Sequence, residues 1–131
     1  MKRKKIIILG GGQTAAYAAK EIRSIDITSD LTIISDEKFL PYERPPLSKD
    51  YILDKVNFDN LLFFSETFYE ENKINFIGNT QIKKVDFINK KISDSNKDFY
   101  YDKLLIATGS SNRYLIISGK KILPSNNIIY L

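Results

Sequence analysis

A run of β-branched residues, Lys4 to Leu9, leads straight into Gly10-Gly11-Gly12-Gln13-Thr14-Ala15. Few local patterns constrain a chain more. The apolar run predicts a buried parallel strand, because a strand covered on both faces has no reason to alternate. The glycines stop it, and Gln13 to Ser24 predicts a helix with one small apolar face at Ala15, Ala16, Ala19 and Ile22. Leu31 to Ser35 then predicts a second strand. Strand, glycine turn, helix and strand make one βαβ unit, so the fold expected is α/β.

The turn fits the pattern G-x-G-x-x-G/A, with Gly10, Gly12 and Ala15 at the three set positions. The first glycine permits the tight turn. The second leaves room for a pyrophosphate against the backbone. A small third residue lets the helix lie on the strand. The helix then offers unpaired N–H groups, including those of Gln13 and Thr14, to a phosphate. Asp36, followed by Glu37, closes the second strand. A carboxylate there can accept hydrogen bonds from ribose hydroxyls and would repel a 2′-phosphate. Its distance from the turn is longer than usual because Ile25 to Asp30 extends the connection. A glycine turn with no ligand is the plainer alternative; the strand, helix and acid around it favour a dinucleotide.

Beyond Asp36 the chain breaks into loop, with Pro41, Pro45 and Pro46 falling before Lys49. Pro46 would suit the first turn of a short helix over Leu47 to Leu53. A second short helix is expected over Ser65 to Asn72, with Ser65 as its N-cap. Ile74 to Ile77 reads as a strand. Gln81 to Ile88, Lys90 to Ser93 and Phe99 to Tyr101 read as a small antiparallel meander, and Lys103 to Ala107 as an apolar strand ending in Thr108-Gly109.

Composition removes several chemistries. The 131 residues contain no cysteine and no histidine. That excludes a disulfide framework, a thiolate nucleophile and a Cys/His zinc site within this chain, and no metal ligands are expected. Chemistry here would have to come from a bound cofactor. The net charge of +4 invites a nucleic-acid partner, but no binding motif accompanies it and the lysines are scattered. No apolar run is long enough to span a bilayer, and Ile6 to Leu9 is too short for the core of a signal peptide. A cytoplasmic protein with no membrane or nucleic-acid partner is the expectation.

Leu40-Pro41-Tyr42-Glu43-Arg44-Pro45-Pro46-Leu47-Ser48-Lys49 is the most specific segment. It resembles the P-Y-x-R-P-P-L-S-K signature of the ferredoxin reductase-like flavoproteins, a branch of the FAD-dependent pyridine nucleotide-disulfide oxidoreductases. The resemblance continues through Tyr101 to Gly109 and reaches Arg113, although Ser111-Asn112 stand where that family has a proline. It implies a Rossmann-like FAD-binding domain with a β-meander, incomplete in this chain. Residues 1–110 would be its amino-terminal part, and 111–131 a connection toward a separate NAD(P)-binding domain. The chain would then be an amino-terminal fragment, since no second G-x-G-x-x-G occurs in it.

By the same resemblance Arg44 lies along the FAD near its phosphates. Lys49 sits beside the flavin ring as the residue closest to the chemistry. Main-chain groups of Ile82 face the adenine, although its side chain suits sheet core equally well. Ala107-Thr108-Gly109 forms the second FAD motif, and Arg113 follows it. The function implied is transfer of electrons from NAD(P)H through FAD to a ferredoxin-type or other acceptor. With no cysteine, those electrons would leave without passing through a thiol. A stand-alone, non-catalytic dinucleotide-binding module is the alternative, and a signalling role like that of apoptosis-inducing factor a third.

Overall fold

The computed structural model describes residues 3–111 and 113–125. Its centre is a parallel sheet of four strands: β1 (Lys5–Leu9), β2 (Asp30–Ile34), β3 (Ile74–Ile77) and β7 (Lys103–Ile106). Their order across the sheet is β3-β2-β1-β7. The register runs Ile6↔Leu31 and Leu9↔Ile34 on one side of β1, and Ile6↔Lys103 and Leu9↔Ile106 on the other. β7 lies beside β1 although it comes last of the four along the chain.

Successive side chains of a strand point to opposite faces, and here each face finds its own cover. Ile8, Leu31, Ile33 and Ile74 point one way and pack with Ala15 and Ala19 of α1 (Gln13–Ile25) and Tyr69 of α2 (Glu66–Glu71). Ile7 and Ile34 point the other way and pack with Ile92 and Tyr101. That second cover is the meander of β4 (Lys84–Asp86), β5 (Lys91–Ser93) and β6 (Asp98–Tyr100), paired antiparallel in sequence order. Cover on both faces explains why β1 and β2 read as unbroken apolar runs.

α2 is capped as expected: the Ser65 hydroxyl accepts a hydrogen bond from the Phe68 N–H at 3.2 Å. The helix expected over Leu47 to Leu53 does not form. A single 3₁₀ turn covers Pro45–Ser48, and Lys49 leaves the helical region at φ −129°, ψ −107°. The prolines occupy the first turn, where no N–H is needed, so the turn opens as expected; it is the departure of Lys49 that ends it, and Asp50 to Asp54 settle into turns. The first meander strand is also shorter than Gln81 to Ile88. It covers Lys84–Asp86 alone, although the Lys83 N–H still donates to the Ser93 carbonyl at 2.8 Å, and Phe87 and Ile88 fall in the turn. Two short pieces had no strong sequence signal: a 3₁₀ turn at Phe58–Leu61 and a hairpin of β8 (Ile116–Ile117) with β9 (Lys120–Lys121). Asn112 and residues 126–131, part of the expected connection, lie outside the described residues.

Candidate functional site

The carboxyl ends of β1, β2 and β7 reach the same level and open onto one cleft of about 1350 Å³. This is where open α/β sheets bind ligands. The volume exceeds the roughly 300–1,000 Å³ of sites for drug-sized ligands, and so has room for an extended dinucleotide. The glycine turn floors the cleft. Gly10 donates its N–H to the Ile34 carbonyl at 2.8 Å, and Ala107 donates to Leu9 at 2.7 Å. These bonds fix the three strand ends relative to one another.

The glycines of the turn are there for different reasons. Gly10 has φ +119°, and a Cβ on it would lie 2.1 Å from the Ala107 carbonyl oxygen. Its identity is set by the fold. Gly12 has φ −96° and ψ −167°, which any residue adopts, and a Cβ on it would meet nothing within 4 Å. Packing within this chain therefore gives no reason for a glycine there. The bare backbone faces the cleft, and a ligand pressed against that backbone would supply the reason.

Helix α1 begins at this point without a side-chain cap and with no acid in its first turn. α2, by contrast, is capped by Ser65. Four N–H groups at a helix start lack intrahelical partners, and those of α1 open toward the cleft with the positive end of the helix dipole. Gln13 and Thr14 line the cleft from this turn. Ala15 points away from it and is fully buried against the sheet.

Asp36 lines the cleft and is exposed. Glu37 lines it too, but its carboxylate is engaged within the protein. Oε2 accepts from the Tyr42 hydroxyl at 2.7 Å and Oε1 from Arg44 Nη2 at 2.5 Å. Burial pushes the Glu37 carboxyl up, but the hydrogen bonds from Tyr42 and Arg44 outweigh it and hold the group below its usual range. The same bond raises Arg44 above the ordinary guanidinium value. Burial first, and then the bond to Glu37, raises the Tyr42 phenol. Glu37 thus lines the cleft with each carboxylate oxygen accepting one hydrogen bond from within the protein.

Ile82 packs against the meander-side core and also lines the cleft. Ala107, Thr108 and Gly109 form the opposite wall. Lys49 and Arg113 are exposed and neither is among the residues lining the cleft. Sequence reasoning passed over Tyr17, Phe63, Thr80 and Gln81, which do line it. For Tyr17 the signal was present: it stands four residues after Gln13, one turn along the same helical face. Among the described residues no group of acids could hold a metal ion, and no helix is long and apolar enough to cross a membrane.

Comparison with known proteins agrees with this geometry. Residues 4–130 match the pyridine nucleotide-disulphide oxidoreductase family. The probable ferredoxin reductase CtmF of Castellaniella defragrans is 32% identical over 117 residues, covering 88% of this chain and 29% of that protein. Monodehydroascorbate reductase 3 of Arabidopsis thaliana is 38% identical over 142 residues, covering 99% of this chain and 32% of that one. The crystal structure of the covalent putidaredoxin reductase–putidaredoxin complex superposes with a TM-score of 0.81 at 25% identity, over 88% of this chain and 28% of its counterpart. The chain thus spans about a third of the length of the curated relatives it matches. With nearly all of its residues inside the match, this chain belongs to the pyridine nucleotide-disulphide oxidoreductase family.

Proposed function

We propose that the cleft holds FAD and that the chain supplies the FAD-binding part of an NAD(P)H-dependent oxidoreductase. The observation that carries this is Gly12, whose bare backbone faces the cleft beside an uncapped helix start. On this reading the pyrophosphate lies over Gly12 and takes hydrogen bonds from the N–H groups of Gln13 and Thr14. The Asp36 carboxylate accepts from the adenosine ribose, and Arg44 adds a guanidinium to the phosphates. The backbone of Ile82 borders the adenine, and Ala107 to Gly109 let the chain pass close to the dinucleotide. Bound FAD would supply the redox chemistry, accepting electrons from a reduced nicotinamide and releasing them to an acceptor.

For Lys49 and Arg113 the reading rests on the likeness of the motifs around them. The Lys49 ammonium would stand beside the flavin ring as the residue nearest the chemistry, and Arg113 would follow the second motif. The relatives' names point to a ferredoxin, a rubredoxin or monodehydroascorbate as acceptor. A ferredoxin-type protein is the acceptor that the resemblance of the loop through Lys49 suggests. No thiol of this chain lies in the path, because it contains no cysteine.

Titration of the chain with FAD, FMN and NAD⁺, followed by amide NMR, tests the cofactor. FAD should shift Gly10 to Thr14, Asp36, Ile82 and Ala107 to Gly109 together. FMN lacks the adenosine half and should leave the glycine turn and Asp36 unmoved. NAD⁺ should need a higher concentration than FAD. Equal response to all three, or tighter binding of NAD⁺, would reject FAD as the ligand.

A further inference from the structure

Tyr42, Glu37 and Arg44 form a connected group at the rim of the cleft that the binding role of Arg44 alone does not account for. The Tyr42 phenol donates to Glu37 Oε2 at 2.7 Å, and Arg44 Nη2 donates to Glu37 Oε1 at 2.5 Å. Tyr42 is buried, at 8% exposure. Its ring is held by Phe58 at 5.2 Å and Phe39 at 6.3 Å, and those two rings lie 4.6 Å apart. The phenol is therefore a fixed donor. The Glu37 backbone is held as well. Its N–H donates to Ser35 Oγ at 3.1 Å, and its carbonyl accepts from the Asn79 N–H at 3.2 Å. Gly78 packs so close that a Cβ there would lie 2.9 Å from that carbonyl oxygen.

An exposed ion pair between two long side chains is ordinarily worth little, because both ends must be ordered for it to form. This pair differs in one respect. One partner is already ordered, by a buried tyrosine on its far oxygen and by a fixed backbone beneath it. Arg44 alone is left to settle. Glu37 takes one of the five donors of the guanidinium fork, and the remainder can meet a phosphate. The guanidinium carbon also lies 5.3 Å from the Tyr42 ring centroid, so one residue touches both members of the pair.

We propose that Tyr42 and Glu37 act as a positioning relay, which sets the Arg44 guanidinium over the cleft before the dinucleotide arrives. This rests on the FAD reading above. The rotamer freedom of a long side chain is then lost on folding instead of on binding, which raises affinity without a new contact. Two adjacent acids thereby take different roles, with Asp36 facing the ligand and Glu37 facing the arginine. Neither Tyr42 nor Glu37 touches the phosphates in this scheme; both act through Arg44.

The test is a double-mutant cycle on FAD affinity in the full chain. Tyr42→Phe keeps the ring and its packing on Phe39 and Phe58 and removes only the hydroxyl. It should weaken FAD by about threefold to tenfold. Arg44→Ala should weaken it by about tenfold or more. The double variant should bind like Arg44→Ala alone, since a relay has nothing left to position. Unchanged affinity in Tyr42→Phe, or losses that multiply in the double variant, would overturn the relay while leaving the cofactor reading intact. Failure of the unaltered chain to take up FAD is a different result and would count against the cofactor reading. The relay is then decided by arginine side-chain NMR of the ligand-free chain. Rotation about the Cζ–Nη2 bond of Arg44 should be slow in the parent and fast in Tyr42→Phe. Equal rotation in both would overturn it.

Discussion

Tyr69 shows what a single atom can cost. Its hydroxyl is buried without a hydrogen-bond partner, the one such side-chain atom among the described residues. The ring is 3% exposed and packs on Phe64 and Phe68 inside the helix-side core. Burial pushes the phenol up to about 12. The unfolded chain loses that proton near pH 10, so between about 10 and 12 the folded state holds more protons than the unfolded one. Stability must then fall as pH rises through that window, by on the order of 1 kcal/mol at pH 11. Tyr69→Phe removes the unpaired hydroxyl and its titration together. It should gain about 1 kcal/mol at pH 7 and lose less than the parent on going to pH 11, as read from urea midpoints at the two values. A lower midpoint at pH 7 would mean that the hydroxyl has a partner in solution. The sequence at this scale was legible in kind but not in pairing. Asp36 and Glu37 are adjacent and chemically alike, and only the folded position of Tyr42 and Arg44 separates their roles.

Within the elements, α1 owes its seat to one charged residue. Ala15, Ala19 and Arg23 recur every four residues and form a single buried stripe, with Arg23 only 6% exposed. Its guanidinium donates to the carbonyls of Asn72 at 2.6 Å, Lys73 at 2.8 Å and Asp26 at 2.9 Å. One side chain thus closes the end of α1 and ties it to the turn between α2 and β3. The positive charge also suits a helix carboxyl end. Removing it leaves three carbonyls short of a donor. Arg23→Ala should destabilise the chain by about 3 kcal/mol and speed amide exchange from Lys73 to Ile74 more than elsewhere. A loss below about 1 kcal/mol would show that water replaces the guanidinium without penalty. The spacing of four was readable in the sequence, but a charge at that position argues for solvent, and nothing local reveals carbonyls contributed from the far end of α2. The Leu47 to Leu53 helix failed for a related reason. Pro45 and Pro46 do open a turn, but Lys49 leaves helical backbone and the turn does not extend.

At the scale of the whole molecule, the β1-α1-β2 unit and the meander were legible because period and turn chemistry agree along short stretches. The position of β7 beside β1, which brings Ala107 to within reach of Gly10, depends on pairing between the two ends of the domain and left no local trace. The cleft shares that property: the glycine turn and the acid were visible, whereas Phe63, Thr80 and Gln81 enter it only through the path of the loops. At the centre of this reading, the glycine turn serves a ligand at Gly12 and the fold at Gly10. The most direct measurement is FAD affinity and thermal stability for Gly12→Ala and Gly10→Ala side by side. Gly12→Ala should melt like the parent, having no neighbour within 4 Å, and should bind FAD more weakly by about tenfold or more, on the order of 1.4 kcal/mol. Gly10→Ala should melt well below the parent whether or not FAD is present, because its Cβ falls on the Ala107 carbonyl. Parent-like FAD affinity in a stable Gly12→Ala would contradict the account.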